Sequence, residues 1–226
     1  MGAILEVIIC SGFPTQLLLI AVLRGFGMPL QTSDGGLNPK LVFTVSLLDA
    51  VLVIGLVLLF LRAHHESARD VLLGRVRALR EVLVGIALIP LTFFVVLLIM
   101  AIVITYAPQL HNVVTNPLED MLRTRSDTMI FAVVVMVSGG VREEVQRGFI
   151  VHRFGQYLGG SVFGILVYSA LFGLGHLDQG YDAAIATGTL GALWGFTYLR
   201  RRSIIAPVVS HAGFNLAQIL KHVALR

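Results

Sequence analysis

The chain has 226 residues, of which 56% are hydrophobic and 13% charged, with a mean hydropathy of +0.86. A soluble domain carries about 25% charged residues, so a water-soluble globular protein is excluded, and a lipid bilayer must cover the outside. The net charge of +4 rests on fifteen arginines and two lysines; the arginines gather at the ends of apolar runs, as the positive-inside rule produces, which speaks for topology and against a nucleic-acid partner.

In chain order, residues 3–23 form a first apolar run, interrupted by Pro14 and Gln16 and ended by Arg24. The run lacks a basic leading segment and a small-residue cleavage site, so it reads as a first span and not as a cleaved signal. Cys10, the one cysteine, can form no internal disulfide and reads as a small buried residue. A loop follows at Gly35-Gly36-Leu37-Asn38-Pro39, then a second span over 41–61 with Asp49 inside it. Residues 62–81 turn polar and carry Arg62, Arg69, Arg75, Arg77 and Arg80, the composition of a cytoplasmic loop with a short surface helix. His64-His65 in this loop read as solvated, and Glu6 and Asp49 as partners of neighbouring helices. Residues 82–107 give a third span, with Pro90 as a candidate kink. A polar connection over 108–127 leads to a fourth span, which begins near Met129 and runs through Glu143-Glu144 towards Arg153. Residues 161–176 make a shorter fifth span. Residues 183–199 make a sixth, whose Gly188, Gly191, Ala192 and Gly195 suit close helix contact, and 204–221 make a seventh. Trp194 reads as packing or an interfacial anchor. The fold class is therefore all-α, a polytopic transmembrane bundle of about seven helices. The arginine clusters fall on one side if the N-terminus is cytoplasmic, in a multi-pass protein of the cell membrane.

Ionisable groups inside such spans cost about 2.5–3.5 kcal/mol for a central charge, so they mark functional sites. They occur here in a fixed order: Glu143-Glu144 with Arg147, then His176, then His211 with Asn215. Glu143 and Arg147 are four apart and share a helix face, while Glu144 points about 100° away from Glu143. One carboxylate can be neutralised by arginine while the other serves as a general base for water. His211 and Asn215 lie one turn apart and can donate together to an oxyanion. A zinc site on Glu143, His176 and His211 is arithmetically possible, although no HExxH is present.

The motifs Glu143-Glu144-Val145-Gln146-Arg147-Gly148, Phe172-Gly173-Leu174-Gly175-His176 and His211-Ala212-Gly213-Phe214-Asn215 resemble those of the CAAX protease and bacteriocin-processing family. This group of intramembrane endopeptidases includes the type II CAAX prenyl endopeptidase. The resemblance covers roughly residues 125–221. It divides the chain into N-terminal helices with a basic loop over 1–124 and a catalytic core over 125–226. It implies a glutamate of the pair and His176 activating a water, His211 and Asn215 as the oxyanion hole, and Arg147 and Phe172 in support. No cofactor is implied as obligatory. The implied substrate is a peptide or protein, prenylated or unprenylated. The alternatives are a non-catalytic immunity or peptide-binding protein on the same scaffold and, in a third class, a transporter using the polar residues as an ion path; the inverted symmetry a transporter would show is absent from the sequence.

Two features of the sequence set questions for the structure. The family pattern has three residues between the glutamate pair and the arginine, and this chain has two. Aligned on Arg147-Gly148, Arg142 takes the catalytic place; aligned on the pair, Glu143 takes it. Depth is the second question. Counted from opposite faces, at Met129 and Ser161, Glu143 and His176 would differ in depth by about 13 Å across a core of about 30 Å.

Overall fold

The computed structural model describes residues 2–113 and 116–224. Among these the regular structure is helical: α1 (Gly2–Ile9), α2 (Phe13–Gly25), α3 (Pro39–Ala63), α4 (Ala78–Tyr106), α5 (Arg125–Val134), α6 (Glu143–Tyr157), α7 (Ser161–Leu174), α8 (Tyr181–Arg201) and α9 (Ile205–Ala224). A π-helical segment, Val135–Arg142, joins α5 to α6, and a short one, Arg69–Leu73, lies in the basic loop. Local chemistry sets several starts. Asn38 caps α3 by accepting from the Lys40 amide at 3.1 Å, with Pro39 in the first turn. Thr124 and Asp127 form a reciprocal capping box at α5. Pro90 lies inside one continuous helix, α4.

By length and composition α3 and α4 can each cross a membrane, and α1 with α2 can count as a third, broken span bent by 48°. Their outer faces carry large exposed apolar residues, such as Leu17, Val51 and Leu97, as an integral membrane protein requires. The first apolar run is thus two helices. The break falls at Gly12, with Pro14 in the first turn of α2, and Arg142 packs against it. Its guanidinium lies against Gly12, where any Cβ would collide with it, and Gly12 adopts a positive φ of 83°.

The helix holding the glutamate pair begins at Arg125 and continues unbroken to Tyr157, so it outruns the expected span. This removes the depth conflict. α6 and α7 are joined by the tight turn 158–160. Counted back from that turn, Glu143 stands about 21 Å along α6, and α7 runs about 20 Å to Leu174 with His176 two residues beyond its end, at about 1.5 Å per residue. Both residues line the same cavities. Counting from Met129 had assumed that the helix ended at the far membrane face.

α7 packs closely on α8 because Gly173 sits against the Ala184 carbonyl and Gly188. α4 is tied to α8 by Arg201, which donates to both Glu81 oxygens at 2.6 and 2.5 Å. A larger ionic cluster fastens α1 to α6 and to the basic loop. The Arg153 side chain, wholly buried, donates to Glu6 at 2.6 Å and to Glu66 at 2.5 Å. His64 pairs with Glu6 and His152 with Glu66, each at 2.6 Å. His64 is thus paired with Glu6 while remaining solvent-exposed, as His65 is.

Burial raises the Glu66 carboxyl, but hydrogen bonds from His152, Arg153 and Gln156 outweigh it and hold the group at about 2, below its ordinary 4.5. Its contribution to stability is complete above pH 4.5 and is lost as pH falls from there towards about 2. The thermal unfolding midpoint of the detergent-solubilised protein should fall across that window. Glu66→Gln should have a lower midpoint near neutral pH and a flatter profile; an unchanged profile would remove Glu66 from the latch.

Candidate active site

The site lies where α6, α7, α8 and α9 meet around the end of the π-helical segment. That segment carries Gly139 and Gly140, and α9 lies directly on them. A Cβ at Gly139 would come within 2.6 Å of Asn215 Nδ2, and one at Gly140 within 2.7 Å of Ala212 Cβ. The missing side chains let His211 and Asn215 reach the level of the glutamates. The last i→i+5 turn closes with the Glu143 amide donating to the Ser138 carbonyl. π-helical turns in longer helices are frequent at functional sites.

The two glutamates have different surroundings. Glu144 is 1% exposed. It pairs with Arg147 and accepts from His211 Nδ1 at 2.8 Å. The Arg147 guanidinium lies within 5.0–5.6 Å of the Phe172, Tyr168 and Trp194 ring centres, so the ion pair is enclosed by aromatic faces. Glu143 is the carboxylate on the cavity wall. Its charged neighbours are more distant: His211 Nε2 at 3.7 Å and Arg142 at 3.9 Å. The arginine sharing a face with Glu143 in sequence thus pairs with Glu144, three residues away.

Arg142, the other candidate for the catalytic place, is turned out of it. It pairs with buried Asp49 of α3, which also accepts from Thr15 and from Gln16. Of the two possible alignments, the geometry fits the one on the pair, with Glu143 facing the cavity.

His176 donates from Nδ1 to the Phe172 carbonyl at 2.8 Å, which leaves Nε2 as the nitrogen able to accept. Phe172 stands between the two imidazoles, with ring centres 4.9 Å from His176 and 6.2 Å from His211. Trp194 stacks on His211 at 3.8 Å and donates its indole N–H to Ser210 at 3.1 Å. Glu143, His176, His211 and Asn215 all line one cavity of about 300 Å³, together with apolar groups such as Phe131, Leu190 and Phe214 and further polar ones such as Ser46, Ser138, Thr187 and Gln218. No His176–glutamate ion pair within 4.0 Å occurs among the described residues.

Sequence reasoning missed Gln146, and it expected a neighbouring-helix partner for Asp49 without naming Arg142; the packing reading of Trp194 holds, since its ring is 1% exposed. Asp49 inside an apolar span was the one available signal, since a buried carboxylate calls for a cation. Among the described residues no group of three or more His, Cys, Asp or Glu side chains is placed to hold a metal ion. Glu144 and His211 are already committed to each other.

Residues 125–217 match the family model described as Type II CAAX prenyl endopeptidase Rce1-like. No curated protein and no solved structure matches the chain. The matched segment carries every residue of the site that the motifs singled out, which is consistent with the CAAX protease family.

Removing one member of a buried ion pair costs about 3–5 kcal/mol, because the other charge is stranded. Arg147→Met should therefore destabilise the protein by about that amount, and adding Glu144→Leu should recover most of it. Unfolding in mixed detergent micelles measures both; a single variant as stable as the parent would contradict the buried pairing.

Proposed function

We propose, from the premise that residues 125–217 match the Type II CAAX prenyl endopeptidase Rce1-like family, that this chain is an intramembrane endopeptidase working through a Glu143- and His176-activated water. The observation that carries the reading is the division of labour between the glutamates. Arg147 neutralises Glu144, while Glu143 faces a cavity shared with His176.

The chemistry follows from the acceptors. Glu143 offers carboxylate oxygens, and His176, whose Nδ1–H donates to the Phe172 carbonyl, has Nε2 left as its possible acceptor. A water between them has an acceptor for each of its hydrogens and turns a lone pair towards a peptide carbonyl in the cavity. Its oxygen adds to the carbonyl carbon as one proton passes to Glu143. Asn215 Nδ2 donates to the resulting oxyanion. His211 adds a second donor only when both its nitrogens are protonated, since Nδ1 serves Glu144. The C–N bond then breaks, the proton held by Glu143 goes to the amine, and a carboxylic acid is left on the acyl fragment. Phe172 and Trp194 fix the imidazole planes. No step needs a metal ion.

The cavity of about 300 Å³ is at the small end of ligand sites; it suits a few peptide side chains. A prenylated C-terminal CAAX peptide is the substrate class suggested by the family description. A peptide-binding protein on the same scaffold would not need a carboxylate exposed to the cavity beside His176, which is why hydrolysis is preferred.

The test uses the purified chain in lipid vesicles with an internally quenched CAAX peptide, prenylated and unprenylated. Glu143→Gln should lower cleavage by at least about 100-fold, the loss typical of a general base, and His176→Ala should do the same. Asn215→Ala should lower kcat by about 100-fold or more, as for an oxyanion donor. All three should keep the parent's unfolding midpoint within about 1 kcal/mol. Full activity in the Glu143 and His176 variants would sink the assignment. Loss of peptide binding without any wild-type cleavage would favour the binding protein.

A further inference from the structure

Glu143, Phe172 and His176 also line a second cavity, of about 110 Å³, which His211 and Asn215 do not reach. Its other walls include Ser11 at the α1–α2 break, Phe13 and Gln16 of α2, and Arg142, Gln146 and Tyr168. Gln146 is 1% exposed, yet neither its amide nitrogen nor its oxygen has a hydrogen-bond partner. A buried carboxamide seldom stays unbonded; where protein supplies no partner, water in a polar cavity does. The volume agrees. It is well below the roughly 300–1,000 Å³ of ligand pockets but holds a small cluster of waters, at about 30 Å³ each.

The broken first span is an independent observation. Non-helical backbone at membrane depth is tolerated where it is buried in protein or lines a water-filled space. The break between α1 and α2 places Ser11 and Phe13 on this cavity.

We propose that the smaller cavity is the water compartment of the site, entered at the α1–α2 break, and that Gln146 is a positioning residue holding water beside Glu143 and His176. This rests on the hydrolytic reading above. Each peptide bond cleaved consumes one water, whose oxygen and one hydrogen end on the new carboxyl group and whose other hydrogen ends on the amine. A peptide filling the larger, mostly apolar cavity displaces water from that side. Glu143 and His176, bordering both spaces, then receive the peptide from one and water from the other.

Accessibility tests the compartment without reference to activity. In a Cys10→Ala background in lipid vesicles, Gln146→Cys and Ser11→Cys are treated with water-borne methanethiosulfonate ethylammonium. Leu166→Cys, exposed on the apolar outer face of α7, serves as control. Both cavity positions should react at least about tenfold faster than the control, since thiolates form where water reaches. Rates equal to the control would overturn the proposal. With the quenched CAAX peptide, Gln146→Leu should lower kcat about tenfold at unchanged KM, the scale of one lost hydrogen bond, and Gln146→Asn should restore part of it. A raised KM at unchanged kcat would make the cavity a peptide subsite and also overturn it. Fast labelling in a chain that cleaves no peptide would support the compartment and defeat the hydrolytic reading alone.

Discussion

The buried pairing of Glu144 with Arg147 is the interaction on which the rest of the site depends. A charge in this apolar bundle is stable only with its partner and is costly without it. Because Arg147 is held by Glu144 and Arg142 by Asp49, neither arginine is committed to Glu143. Among the described residues that carboxylate has two charged groups near 4 Å, His211 at 3.7 Å and Arg142 at 3.9 Å, and a place on the cavity wall. Three aromatic rings around the guanidinium keep the arrangement in register. They also hold the histidines, since Phe172 and Trp194 each serve both purposes.

The approach of α9 depends on what the π-helical segment omits. Two adjacent glycines let a carboxamide and an imidazole approach a helix that already presents two carboxylates. The same segment ends with Arg142, whose guanidinium occupies the space beside Gly12 and is coupled to the bend in the first span. One side chain therefore connects the cavity wall, the second span through Asp49, and the break in the first.

Much of this was legible from the amino-acid order, for physical reasons. Long apolar runs must be helical in a bilayer because their backbone groups have no other partners, so the rods of α3, α4, α7, α8 and α9 were placed within a few residues. The polar positions Glu143, Glu144, His176, His211 and Asn215 stood out because each is expensive where it lies. The interruption near Pro14 was legible, but not that the run divides into two helices at Gly12 with Arg142 packed against the turn. The relative depth of Glu143 and His176 was not legible, because Met129 and Ser161 were counted from opposite membrane faces although the helical run from Met129 to Tyr157, about 42 Å at about 1.5 Å per residue, is longer than a core of about 30 Å. Which glutamate pairs with arginine was also hidden. Regular 3.6-residue geometry permits either choice, and the choice depends on Tyr168, Phe172 and Trp194, on other helices. Gln146 carried no signal at all, since a glutamine beside an arginine on a helix is ordinary.

Trp194 has an optical consequence. It is the chain's one tryptophan, and its ring lies parallel to His211, 17° from coplanar at 3.8 Å. The intrinsic ultraviolet emission of the protein therefore originates beside the proposed oxyanion donor and beneath the buried arginine. A change in the charge of His211, or the arrival of a polarisable group in the cavity, acts directly on that emitter. The molecule contains its own spectroscopic probe, built in at the position where chemical events would have to be followed.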